Sequence, residues 1–345
     1  MGTLTVFTQS EGYANRYYSY ETWSVMHAGA GTGASNPTGG AGVQLTQFVT
    51  GPSTGNYQQM NRGMCTFDTS ALTSAATVTA AVYRANPNLL ASTFFTGPVN
   101  AALKIGVYDS TQASDTTVVA ADYQAPGTTL QSDFIFYSAM TQDSQFELTL
   151  TSTGRSSISK TGTTKFAIYE GTYDAPNSAP PFRASSYWYI SVYSDFGNAT
   201  YSQQLVITYT GDPTVTTQAA SDVLPTSVTG NGNITSIGGA SPTRRGFAYK
   251  VGTSGDPTTS DSVSYEDGSF STGAYTLSIT GLTESTSYRV RAYAVNSVGT
   301  SYGSTVQEAT PASTAIKTID GLANASIKTV NDLAIASMKT WDGLE

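Results

Sequence analysis

Apolar side chains recur at every second position over much of this chain. Across residues 101–109, Leu103, Ile105 and Val107 alternate with polar or small neighbours, the pattern of a strand with one buried face. Residues 146–150 and 166–169 alternate in the same way, and so does the longer run 187–193. In that run the period of two puts Trp188, Ile190 and Val192 on one face and Tyr187, Tyr189 and Tyr193 on the other. The first set reads as core and the second as an outward row. Loops rich in Gly, Pro, Asn and Ser separate the alternating runs, and no helical period is sustained over ten residues. The pattern predicts an all-β protein of packed sheets.

The organisation is read from the breaks. A strongly β segment, 203–210, ends at Gly211-Asp212-Pro213, and proline at a strand end is a boundary signal. A second break falls at Pro311. A chain of 345 residues exceeds what one sandwich core supports. Three regions are expected: 1–212, 213–311 and 312–345. In the last, Ile316, Ile319 and Leu322 return as Ile327, Val330 and Leu333 and again as Met338, Trp341 and Leu344, a period of eleven residues. That period also suits helical stacking, but repeated Thr and the pairs Asp320-Gly321, Asn331-Asp332 and Asp342-Gly343 favour strands and turns. So short a segment cannot bury its own apolar series, so it is expected to act as an assembly element.

Composition narrows the chemistry. Charged residues make up only 12% of the chain, about half the usual share, and Thr, Ser, Gly and Tyr replace them. A net charge of −8 opposes binding to nucleic acid, which needs clustered cations. No apolar run is long enough to span a membrane, and the sequence opens without a charged and apolar leader. It is therefore expected to be made and left in a cytoplasm. The single Cys65 and single His27 leave too few ligands for a zinc site, and neither a metal nor a cofactor is expected. His27, ahead of the glycine-rich run 29–33, reads as a solvated loop histidine, and Cys65 as a buried strand thiol. Asp68 reads as a turn former, with a calcium ligand as the other option. The carboxylates Asp68, Glu147, Glu170 and Asp195 leave glycoside hydrolysis as the one enzymatic option, but none sits in a motif. The aromatic groups carry more promise. Tyr187, Tyr189 and Tyr193, with Tyr18 and Tyr20 of the N-terminal group Tyr17, Tyr18, Tyr20 and Trp23, could stack on sugar rings or pack on another subunit.

Two segments bear resemblances. Residues 62–72, from Arg62 through the turn Phe67-Asp68-Thr69-Ser70, followed by Ala80-Ala81-Val82-Tyr83, resemble the hallmark of DNRLRE-type jelly rolls, relatives of carbohydrate-binding modules. That family implies a jelly-roll-like sandwich and no chemistry. Residues 281–303, with Leu282 ahead of Tyr288 and the strand Tyr288-Arg289-Val290-Arg291-Ala292-Tyr293-Ala294, resemble the end of a fibronectin type III domain. The resemblance implies that Tyr288 is a tyrosine corner over Leu282. The tryptophan usual in that family is not evident. The eleven-residue repeats resemble those at the ends of phage structural proteins.

Together these readings point to a non-enzymatic structural, decoration or fibre protein of a phage head or tail. It would assemble in the host cytoplasm through its C-terminal repeats, with other virion proteins, copies of itself and host surface glycans as partners. A carbohydrate-binding adhesin or surface filament subunit outside the cell is the alternative, and a glycoside-active enzyme the second.

Overall fold

A computed structural model describes residues 1–37, 42–92, 102–194 and 202–313, and the two-residue strands Thr318–Ile319, Leu322–Ala323, Thr329–Val330 and Leu333–Ala334. It is an all-β protein in which sheets pack face to face.

The first region builds twelve strands, all paired antiparallel: β1 (Gly2–Glu21), β2 (Gly33–Ser35), β3 (Gly42–Thr50), β4 (Tyr57–Asp68), β5 (Thr77–Ala85), β6 (Pro87–Ser92), β7 (Lys104–Ser110), β8 (Pro126–Phe136), β9 (Phe146–Thr149), β10 (Thr163–Glu170), β11 (Tyr187–Tyr193) and β12 (Gln204–Thr210). Strand β1 serves two layers. Gly2–Phe7 pair with β12, which continues through β5 to β9. A bulge between Thr8 and Ser10 then carries the rest of β1 onto β4 in the larger layer, as bulges bend strands between sheets. On its other edge β4 pairs with β3 as far as Arg62 and with β10 from Gly63. The larger layer therefore forks, and Gly63 sits at the fork, where a Cβ would fall 2.7 Å from Leu45 Cα. The fork is a branch added to the jelly-roll-like sandwich expected from sequence.

Apolar side chains from both layers form one core, in which Phe67 meets Tyr83 edge to face at 6.5 Å. Trp188, Ile190 and Val192 are fully buried in it, as the alternation of 187–193 predicts. So is Cys65, whose thiol is pushed well up by burial and by nearby Glu11.

The second region is a sandwich of three strands on five: β13 (Thr214–Leu224), β14 (Ser227–Ser236) and β17 (Gly273–Thr280) face β15 (Arg244–Val251), β16 (Ser262–Asp267), β18 (Ser287–Val295), β19 (Thr300–Tyr302) and β20 (Val306–Ala309). This is a fibronectin type III-like arrangement. The Tyr288 hydroxyl accepts the Thr283 N–H at 2.9 Å over buried Leu282, so the tyrosine corner is in place. Phe247 of β15 fills the centre of the core, 5.4 Å from Tyr275, and Gly230 makes room for its ring. The two sandwiches meet where the sequence breaks: Gly211 N donates to Gly238 O at 2.7 Å, and Asn296 Nδ2 binds Gly211 O at 2.7 Å and Ile237 O at 3.0 Å.

In the third region β21 (Thr318–Ile319) pairs with β22 (Leu322–Ala323), and eleven residues later β23 (Thr329–Val330) pairs with β24 (Leu333–Ala334). Strand pairing thus follows the sequence period at Ile319, Leu322, Val330 and Leu333. Ile316, Ile327, Met338, Trp341, Leu344 and the carboxylate Asp195 lie outside the described residues.

Candidate functional site

The outward face of the larger layer is where sequence and geometry converge. Strands run there in the order β11, β3, β4, β1, and cross-strand partners point the same way. Tyr187 is paired with Val49, Val49 with Gln59, and Gln59 with Tyr17; one step along, Tyr189 is paired with Gln47, Gln47 with Asn61, and Asn61 with Asn15. Tyrosines therefore flank a band of amides. Asn61 is fully buried beneath that band: its Nδ2 donates to Gln47 Oε1 at 2.8 Å and to Gln44 Oε1, and its Oδ1 accepts Gln59 Nε2 at 3.0 Å. With Asn61 satisfied, the NH2 groups of Gln44 and Gln47 and the carbonyl of Gln59 have no partner among the described residues. Such groups complement sugar hydroxyls, which both donate and accept.

Two irregularities shape the tyrosine end. Five residues of β1, from Tyr17 to Glu21, lie opposite three residues of β4, from Gln59 to Tyr57. The excess throws out Tyr18 to Tyr20, with Tyr20 at φ 69°. A second bulge, in β4 against Val49 and Thr50, turns Gln58 onto the outer face, where its Nε2 donates to Tyr17 Oη at 3.1 Å. Tyr20 then lies against Gly51, where a Cβ would fall 2.3 Å from the ring. The result is a cleft of about 210 Å³ lined by Tyr20, Gly51, Pro52, Gln58, Ser185 and Tyr187, with Val49, Thr50 and Ser186 completing it. Tyr187 stacks on Tyr189 at 5.7 Å and 27°. An open aromatic pair beside hydrogen-bonding amides can hold the apolar face of a sugar while binding its hydroxyls.

The structure thus brings Tyr20, Tyr187 and Tyr189 together, although Tyr20 and Tyr187 are far apart in sequence. Two other expected contacts lie apart from the cleft. The Tyr193 hydroxyl donates to Asp143 Oδ1 at 2.6 Å, and the Tyr18 ring lies under the Arg16 guanidinium at 4.5 Å. Trp23 of the N-terminal aromatic group is buried in the core.

The loop that follows β10 supplies the far wall of the cleft, and buried charge fastens it. Asp174 is fully buried, and Arg62 Nη2 reaches its Oδ1 at 2.6 Å while Arg62 Nε lies 3.0 Å from Oδ2. Burial works against the carboxylate, but the Arg62 guanidinium and His27 together hold it below the usual carboxylate range. Glu170 accepts the backbone N–H groups of Thr172, Tyr173 and Asp174; burial nonetheless raises its pKa. Farther on, Tyr57 donates to Pro180 O at 2.9 Å, and Ser186 and Thr50 exchange hydrogen bonds. The cleft wall at Ser185 and Ser186 is therefore stitched to the core.

His27 departs from expectation. It lies not in a solvated loop but in the helix α1 (Trp23–Ala28), with its ring 5.8 Å from Trp23. Its Nε2 is 2.9 Å from Asp174 O and 3.2 Å from Asp174 Oδ1, so that nitrogen carries the proton. The described candidate carboxylates, Asp68, Glu147 and Glu170, stand apart from one another. Asp68 accepts the Ser70 N–H at 2.9 Å in an Asx turn and pairs with Thr163 at one end of β10, whereas Glu170 closes the other end. Glu147 binds Arg84 at 2.7 Å. Among the described residues no three His, Cys, Asp or Glu side chains are grouped as a metal site would need, and no helix is long and apolar enough to cross a membrane.

No protein-family model and no curated protein matches the chain. Among solved structures, the sensor domain of the anti-sigma factor RsgI4 in Pseudobacteroides cellulosolvens is 18% identical over 30% of this chain and 97% of its own, with a TM-score of 0.23. The FN1-FN3 domains of chicken CNTN1 are 9% identical over 89% of this chain and 90% of theirs, with a TM-score of 0.21. Similarities this slight carry no argument, and the fold rests on the strand pairing.

Proposed function

We propose that this chain is a non-enzymatic, glycan-binding structural protein of a surface assembly, such as the exposed part of a phage particle. The observation that carries the reading is the outward face on which exposed Tyr20 and Tyr187 and half-buried Tyr189 lie near the amides of Gln44, Gln47 and Gln59. Stacking and amide hydrogen bonds suit a neutral oligosaccharide, and one shallow face of this kind binds weakly. Presentation in several copies multiplies such an affinity. The C-terminal hairpins, repeating every eleven residues, are the element to which this proposal assigns assembly, with copies of the chain and other particle proteins as partners.

Screening the full chain against immobilised neutral and acidic glycans tests the reading. A set of neutral glycans should be retained, and Tyr187→Ala should lose them with its fold intact. Truncation after Ala312 should leave monovalent binding in solution unchanged while abolishing oligomerisation and the gain from multivalency. Retention of every glycan by Tyr187→Ala, or normal oligomers from the truncated chain, would refute the respective half of the proposal.

A further inference from the structure

Of the sixteen Lys and Arg side chains, eight face a carboxylate among the described residues: Arg16, Arg62, Arg84, Lys165 and all the arginines of the second sandwich. Arg155 and Lys160 do not, and they line one cleft of about 360 Å³ with Thr77, Val78, Ser152 and Ser156. That cleft contains no Asp, Glu, Asn or Gln. It lies over β5 of the smaller layer, on a different layer from the tyrosine face.

The arginine of the cleft is held in place. Arg155 belongs to α2 (Ser152–Ser156), whose first turn is capped by Thr151 Oγ1 accepting the Gly154 N–H at 3.2 Å. Gly154 presses on β8 so closely that a Cβ would fall 1.9 Å from Gln131 O, and Ser157 Oγ donates to Gln131 Oε1 at 2.7 Å. Arg155 spends Nη1 on Leu150 O at 3.0 Å, which orients the guanidinium and leaves Nε and Nη2 unused. The Lys160 ammonium and the Thr77 and Ser152 hydroxyls have no protein partner among the described residues. Two cations and two hydroxyls around an apolar patch at Val78, with no carboxylate or amide side chain in the lining, form a donor-rich site.

We infer that this cleft binds a tetrahedral oxyanion, the phosphoryl or sulfate group of a sugar or polyol ester. The guanidinium fork and the ammonium match its charged oxygens, the hydroxyls take the remaining lone pairs, and Val78 lies against the carbon skeleton. Because the chain carries −8 overall, long-range attraction contributes nothing, and binding depends on these contacts. The site is independent of the glycan reading of the tyrosine face.

Amide NMR of the full chain, titrated with inorganic phosphate at constant ionic strength balanced by chloride, tests it. Saturable shifts are expected at Thr77, Val78 and residues 152–160, with none at Tyr187. The variant Lys160→Gln, which removes no protein contact, should weaken binding about tenfold, and Arg155→Gln combined with it should abolish saturation. Glycerol 3-phosphate and glucose 6-sulfate, titrated separately, distinguish the two ester sources by which binds more tightly. Shifts that chloride reproduces, shifts that never saturate, or equal affinity in wild type and Lys160→Gln would overturn the assignment.

Discussion

Each sandwich carries a tyrosine face, and the two differ in what covers the rings. In the second sandwich Tyr265, Tyr293 and Tyr302 lie in one cross-strand row, with Gly246 between Tyr265 and Tyr293. Arg244 lies over Tyr265 at 4.0 Å and Arg291 over Tyr302 at 4.7 Å, and Tyr293 beneath them is only 1% exposed. Both arginines are themselves held, Arg244 by Asp267 at 2.7 Å and Arg291 by Gly303 O at 2.7 Å. Exposure does not separate the two rows, since Tyr265 is 48% exposed and Tyr20 and Tyr187 of the first sandwich are 47% and 38%; what differs is that Tyr20 and Tyr187 stand beside amides with hydrogen-bonding groups that Asn61 does not use. Tyrosine content alone therefore does not define a binding face. The second row meets arginines of its own chain, whereas the first lies beside amides, and the proposed function assigns sugar binding to the first.

The comparison can be stressed at several points. The largest effect is expected from Asp174→Ala, which leaves Arg62 buried without its partner and should cost about 3–5 kcal/mol. Chemical denaturation should show the loss, and sugar binding should fall with it as the wall at Ser185 is released. Titration of the same group has a defined sign. The folded pKa of Asp174 lies below the unfolded value, so its contribution is whole above the unfolded value and is lost as pH falls through the folded one. Asp174→Asn should flatten that acid limb of the stability profile.

Removal of the Tyr288 hydroxyl is a smaller change in the other sandwich. Tyr288→Phe leaves the Thr283 N–H without its acceptor and should cost about 1 kcal/mol, read from the unfolding transition of the second sandwich, with no effect on sugar binding. Gly51→Ala should move stability least, within about 0.5 kcal/mol, because the exposed Tyr20 ring can swing away from the new methyl. It should nevertheless weaken sugar binding by reshaping the cleft, as a titration against wild type would reveal.

Strand alternation made much of this legible. The run 187–193 alone assigned Trp188 to the core and Tyr187 and Tyr189 to the outside, and the resemblance of residues 281–303 to a fibronectin type III domain implied the corner at Tyr288. The cleft was not legible, because it depends on two bulges. A period of two carries no mark of the extra residues that throw out Tyr20 and turn Gln58. Gln59 and Asn61 keep a period of two, but Gln44 and Gln47 stand three residues apart and both reach Asn61 across a register shift in β3 opposite Ile190 and Ser191. His27 was misread for a related reason. The glycines after it suggest solvent, but its partner Asp174 lies 147 residues away in sequence, and nothing local announces that contact.

The central claim is that the tyrosine face beside the amides binds sugar and the arginine-flanked one does not. Titrating one neutral oligosaccharide retained by the wild-type chain into Tyr20→Ala, Tyr187→Ala and Tyr302→Ala, by calorimetry or amide NMR, tests it most directly. The account predicts at least about a tenfold loss for each of the first two, equivalent to roughly 1.4 kcal/mol, and wild-type affinity for Tyr302→Ala. Equal losses at all three positions, or a loss confined to Tyr302→Ala, would contradict it.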